Sequence, residues 1–218
     1  MKKISYIVAV AALVFGPLLR SHAQTDAAAK SLLDKVSQTY AAYKSIQADF
    51  SLAIKQSQQT THSESGTMVI DQKTGKYHIS TGNEEIISNG KTQWMVLKDV
   101  EEVQITEVDP TAESISPTNI FSFYKEGYKY ITADNERLGN KQLAVVELTP
   151  EDTETPYFKI KLRIDGSTYQ IHDVTIFDKG GNQYVYTIGS TKTNLQLADS
   201  QFAFQQSQYP SFEIVDLR

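Results

Sequence analysis

The chain has 218 residues, 40% of them hydrophobic, no cysteine and a formal net charge of −5. No disulfide or zinc-thiolate framework is open to it, and the acidic balance argues against nucleic acid or anionic lipid as the main partner. Past the first 23 residues, no stretch approaches the ~20 apolar residues that a membrane helix needs.

In chain order, Lys2 and Lys3 precede an apolar run at 4–19 that Ser5 and Gly16-Pro17 interrupt. Ser21-His22-Ala23 is a small-x-small cleavage site, with Gln24 as the mature start. This pattern predicts a cleavable secretory signal at 1–23 and one exported domain at 24–218. Lys2, Lys3 and Arg20 leave with the signal, so the charge falls by three, from −5 to −8. Without Cys, the mature chain is not expected to carry an acylated N-terminal cysteine.

Residues 26–43 read as an amphipathic helix, with Leu32, Leu33, Val36, Tyr40 and Tyr43 at helical spacing. At Ile46 the period changes to two. Ile46, Ala48, Phe50, Leu52 and Ile54 alternate with mostly polar residues, which predicts a strand with one apolar face. Strand signals follow at 66–70, 76–80, 85–88, 92–97 and 102–108, joined by short turns. Asn89-Gly90 is the strongest of these, and it predicts a type I′ hairpin turn leading to the only Trp, Trp94. Ser116-Pro117 then signals a short helix, very apolar through Ile120, Phe121, Phe123 and Tyr124, ending at Gly127. Strands resume at 128–132, 142–149, 157–164, 169–177, 183–189 and 212–216. The up-and-down order suits an antiparallel meander, and about ten strands in one sheet must curl or close.

The patterns that carry chemistry are missing. His62, His78 and His172 stand outside any HExxH or HxH spacing, and the chain has no GxSxG elbow, P-loop or GxGxxG. The acidic groups Glu101-Glu102 and Glu151-Asp152-Thr153-Glu154 read as exposed surface. Neither a cofactor, a metal site nor catalysis is expected. What the chain has in quantity is aromatic strand surface: twelve Tyr, nine Phe and one Trp. In a curved sheet these residues either fill the core or line a ligand cavity.

Four segments resemble the LolA-type carriers of outer-membrane lipoproteins. Residues 43–50, Tyr-Lys-Ser-Ile-Gln-Ala-Asp-Phe, are similar to that family's first helix-to-strand junction. Residues 66–70 resemble its second strand. Residues 87–94 resemble its SDGKTLW-like hairpin. Phe202-Ala203-Phe204, Tyr209-Pro210 and Ile214-Val215-Asp216 resemble its C-terminal end.

The resemblance implies an α+β fold: a single-domain, unclosed antiparallel β-barrel of about ten to eleven strands. An N-terminal helix and a short central helix would cover its concave face. It implies a soluble, monomeric periplasmic carrier that shelters lipoprotein acyl chains in an apolar cavity between inner and outer membranes. The partners would be acylated lipoproteins, an ATP-driven inner-membrane release complex and an outer-membrane acceptor. The cavity would be lined by Phe50, Leu52, Met68, Ile70, Tyr77, Ile79, Trp94 and Val96, with lid contacts at Ile120, Phe121 and Phe123. Where the family often carries an Arg after its second strand, this chain has Gln72 and Lys73, and Lys does not reproduce Arg's planar fork. That departure keeps a second function open, a periplasmic binding or sensing domain for another acylated or lipidic ligand.

Overall fold

The computed structural model describes residues 26–108, 119 and 121–218. The expected signal segment, and Ser116, Pro117 and Ile120, lie outside the described residues.

Helix α1 spans Ala27–Ala41. Asp26 caps it, its Oδ1 accepting the Ala28 N–H at 2.8 Å. Ala29, Leu33, Val36 and Tyr40 recur at helical spacing and are all buried. The strands are β1 (Ser45–Gln56), β2 (Gln59–Asp71), β3 (Lys76–Thr81), β4 (Glu84–Ser88), β5 (Thr92–Leu97) and β6 (Glu102–Glu107), followed by β7 (Tyr128–Leu138), β8 (Lys141–Pro150), β9 (Tyr157–Asp165), β10 (Ile171–Asp178), β11 (Asn182–Thr193) and β12 (Glu213–Asp216). They form one sheet in the order β12-β6-β5-β4-β3-β2-β1-β11-β10-β9-β8-β7. Two antiparallel meanders, β1–β6 and β7–β11, are therefore joined where β1 pairs with β11. β12 and β7 stand at opposite ends of the order, so the sheet is unclosed.

The large antiparallel sheet and the N-terminal helix agree with the sequence reading, while three details differ. The sheet has twelve strands rather than ten or eleven. Among the described residues the central segment forms a three-residue 3₁₀ helix at Phe123–Lys125, and Ser116, Pro117 and Ile120 of the expected helix lie outside them. β12 runs parallel to β6, not antiparallel. The 194–212 connection crosses the sheet before β12 begins, which a parallel pairing requires.

The turns also redistribute. Asn89 does not take positive φ; only Gly90 does, at +88°. Instead the Asn89 side chain accepts the N–H groups of Lys91 and Thr92, both at 2.9 Å, closing the hairpin as an Asx turn. The true pair of positive-φ residues is Ser57-Gln58 (49° and 68°), the two-residue loop between β1 and β2. These residue types carry no turn signature, so the polar extension of both strands was not legible.

Side chains separate by strand parity. Cross-strand partners Ile46–Ile70–Tyr77 and Ala48–Met68–Ile79 share one face, the face that α1 covers. It continues through Ile188, Val174, Leu162 and Val146. Gly66 lies between Phe50 and Thr81 on this face. A Cβ at Gly66 would stand 2.4 Å from the Ser80 carbonyl oxygen and 2.8 Å from Phe50 Cζ. Glycine is therefore required here by the close approach of β3 and of the Phe50 ring, not by its backbone angles.

Gly66→Ala is expected to cost about 1–3 kcal/mol by overpacking, because the nearest obstacle is backbone. Urea denaturation checks this; an unchanged midpoint would mean that β3 moves aside freely.

Candidate functional site

The helix-covered face has two halves. In the inner half α1 lies on the sheet. The Asp26 N–H donates to the Tyr130 carbonyl at 3.0 Å, and Asp26 Oδ2 also accepts from the Thr132 hydroxyl. At the helix's other end the Ile171 N–H donates to the Tyr40 hydroxyl at 3.0 Å. Burial pushes the Tyr40 pKa well above the phenol range. Phe121 stacks on Tyr40 with ring centroids 4.2 Å apart and an 11° tilt. Tyr124, 1% exposed, reaches Ser37 Oγ at 3.3 Å. The segment after 120 thus clamps α1 from the side of the sheet's open space.

Among the described residues no helix covers the outer half of the sheet. Leu52, Ile54, Ile79, Ile86, Met95, Leu97, Ile176 and Tyr186 are only half-buried. Register places Leu52 beside Tyr186 and Ile86 between Ile79 and Met95. Phe123 meets Tyr128 edge-on at 5.8 Å, and the Tyr128 and Tyr157 hydroxyls lie 2.7 Å apart. Burial and that hydrogen bond push Tyr128 above the phenol range.

Charges are sorted by face. Among the described strand residues, Arg137 at the tip of the β7–β8 hairpin is the one Lys or Arg with helix-face parity. The acids that fall on this face include Glu64, opposite Leu52, and Glu84, opposite Leu97. Desolvation, with the nearby Glu64 charge, raises the Glu84 pKa above 4.5. The back face instead carries an ion-pair ladder. Lys159 reaches Glu147 at 3.1 Å, Arg163 reaches Glu136 at 3.0 Å, and Arg163 Nε donates to Asp173 Oδ2 at 2.9 Å. Asp173 is 1% exposed, and Lys161 also pairs with Glu136.

Of the sequence-predicted positions, Phe50, Leu52, Met68, Ile70, Tyr77 and Ile79 share the helix-covered face. Met68, Ile70 and Tyr77 are buried, whereas Phe50, Leu52 and Ile79 are half-buried. Phe121 and Phe123 pack against the same core. Ile120 lies outside the described residues.

Trp94 and Val96 correct the expectation, because they point to the back face. Trp94 pairs across β4 with Ile87, and Val96 with Glu85, both of opposite parity to Ile86. The C-terminal segment covers them. Phe204 stacks on Trp94 at 6.0 Å, Tyr209 stacks on Phe204 at 5.6 Å, and the Tyr209 hydroxyl donates to Glu85 Oε2 at 2.8 Å. Desolvation and Glu85 push the Tyr209 pKa up to about 12. The apolar run 94–97 alone could not reveal its facing, since Trp94, Met95, Val96 and Leu97 are all apolar.

Gln72 and Lys73 follow β2. The Gln72 N–H donates to the Lys44 carbonyl at 3.1 Å, and the Lys73 N–H to Asp71 Oδ1 at 2.9 Å. Both line a cleft of about 620 Å³ with Tyr43, Lys44, Leu195 and Leu197. Gln72 also borders a second cavity of about 150 Å³, beside Ile70, Tyr40, Phe121 and Lys125.

A model of the family described as "Outer membrane lipoprotein carrier protein LolA" matches residues 41–205, from the end of α1 into the C-terminal cover. The chain belongs to the LolA family. No curated protein matches it. Among solved structures, an uncharacterized conserved protein of Thermus thermophilus aligns with a TM-score of 0.58 and 10% identity. That alignment covers 87% of this chain and 99% of the other. The lipoprotein LppX of Mycobacterium tuberculosis aligns with a TM-score of 0.50 and 9% identity, over 79% of this chain and 98% of its own. At such identities the likeness is one of fold.

Residues missed from sequence were Glu64, Glu84 and Tyr186. Tyr186 alternates with Tyr184 and Ile188, but only the β1–β11 pairing brings it beside Leu52.

A carboxyl whose folded pKa is raised opposes folding above that pKa, and the penalty disappears as pH falls to the unfolded value. Glu84→Gln should therefore melt above the parent protein at pH 7, with the gap closing as pH falls toward 4.5. Thermal melts across that window measure it; a gap that does not change with pH would show Glu84 to ionise as a free carboxyl.

Proposed function

We propose that this LolA-family chain is a soluble periplasmic carrier that shelters the acyl chains of lipoproteins between the inner and outer membranes. The single observation that carries this reading is the outer half of the helix-covered face. It is a broad floor of half-buried apolar side chains, next to a helix and a 3₁₀ segment that lie on the same sheet. A structural sheet gains by covering such a floor completely. A carrier needs such a floor to receive its cargo.

The energetics suit the task. Each acyl CH₂ exposed to water costs about 0.8 kcal/mol, so a lipoprotein with several chains leaves a membrane only if another apolar surface receives them. Ile79, Ile86, Leu52 and Met95 offer non-directional contacts that accept chains without fixing a single pose. Release then follows a gradient of affinity rather than the rupture of specific hydrogen bonds. The protein acts by binding and not by catalysis. Loading from the inner membrane requires an ATP-driven release complex, and delivery requires an outer-membrane acceptor. Residues 1–23 export the chain and are removed, leaving 24–218 as a monomeric carrier domain.

A second reading has one specific observation behind it. Gln72 and Lys73 stand where the family often carries an Arg, beside the cleft formed with Lys44 and Leu195. A binding or sensing domain for another acylated ligand would keep the apolar floor and lose the loading contact.

Native mass spectrometry of the mature protein with a triacylated lipoprotein, and separately with its unlipidated form, tests the carrier reading. Capture of the acylated form alone is the expected result. Ile79→Asp should abolish capture while Trp94→Ala, on the other face, should retain it at some loss of stability. Equal capture of lipidated and unlipidated forms, or of neither, would overturn acyl recognition.

A further inference from the structure

Along β1 the burial changes at one residue. Ile46 and Ala48, toward the helix, are buried at 0% and 1% exposure. Leu52 and Ile54, on the same face beyond Phe50, are half-buried. Phe50 stands between, opposite Gly66 on one side and Ile188 on the other. Its ring lies over β2, with Cζ and Cε1 2.8 and 2.9 Å from the place a Gly66 Cβ would take. Glycine at 66 is thus the seat on which the ring lies, and the Ser80 carbonyl, 2.4 Å from the same point, closes the seat from β3.

An acyl chain lying on the outer half, along Leu52 and Ile79, runs inward until it meets this ring. Behind the ring are the packed side chains of Ala48 and Met68, with no exposed apolar area left to take up further methylenes. We propose that Phe50, seated on Gly66, is the stop that sets how long an acyl chain the face accepts. This rests on the acyl-carrier reading above and adds a chain-length preference to it. Methylenes that reach the ring gain nothing by binding, whereas those that lie short of it each gain a full burial increment.

The test is the affinity of the mature protein for diacylglyceryl-cysteine peptides that differ only in acyl length. In the parent protein the dissociation constant should fall by about fourfold per added methylene and then level off. Phe50→Ala vacates the ring, and the level should then be reached about three methylenes later, since a Phe side chain is worth roughly that many CH₂ groups of burial. Phe50→Trp, which keeps the site filled if the alanine variant fails to fold, should reach it sooner. The same break point in all variants, with binding retained, would overturn the stop while leaving the carrier reading intact. Failure of the parent protein to bind any member would overturn both.

Discussion

The fold depends on β1 being paired on both sides. Its twelve residues bond to β2 along one edge and to β11 along the other, and the two pairings are the seam between the meanders. Once β1 is placed, a period of two decides which side chains of every neighbouring strand share its apolar face. A slip of one residue would send Ile46, Ala48 and Phe50 to the side of the ion-pair ladder. It would also bring Gln47 and Asp49 to the face that α1 covers. The bulge opposite Asp49 puts an extra residue in β11, which switches the parity of β11 between Ile188 and Thr191 and leaves the facing of β1 unchanged.

Charge completes what register begins. The back face of β7–β10 is held by paired charges, with Asp173 nearly enclosed and its two oxygens bonded by Arg163. A buried pair of this kind adds little net stability against a well-packed apolar alternative, but removing one partner is costly because the other charge is left unpaired. The arrangement therefore specifies which face turns outward. The remaining back face, on β3–β6, is covered by the aromatic run Trp94–Phe204–Tyr209 instead. One sheet thus has two different outer covers, and its helix side is left almost free of strand cations.

The inner cover is held differently from the sheet beneath it. α1 contributes four buried side chains and is anchored through Asp26 at its start and Tyr40 near its end. Between these anchors its buried contacts are apolar, and its polar contacts to other elements include the Ser37–Tyr124 hydroxyl pair at 3.3 Å and Lys35 Nζ to the Tyr169 hydroxyl at 3.4 Å. Sheet strands are fixed by continuous ladders, so the helix and the segment stacked on it through Phe121 are the elements whose displacement breaks the fewest hydrogen bonds. That difference in attachment distinguishes the sheet from the elements that lie on it.

The amphipathic stretch before Tyr43 and the alternation from Ile46 were legible because both periods are local properties of the chain. The antiparallel order and the N-terminal helix followed from them, while the resemblance to LolA carriers came from four short segments of sequence. So did Phe50, Leu52 and Ile79, which lie on strands where one parity is apolar and the other polar. Trp94 and Val96 were not legible, because β5 is apolar on both parities and only the C-terminal cover decides that the Trp face is the back. The parallel β12 and the meeting of Leu52 with Tyr186 likewise depend on contacts between distant residues. The sequence by itself determined which segments are strands and that one face would be apolar, since periodicity is written locally. Only the tertiary structure decided which half of that face α1 covers and where Phe50 ends the open half, because those depend on pairings that no local pattern encodes.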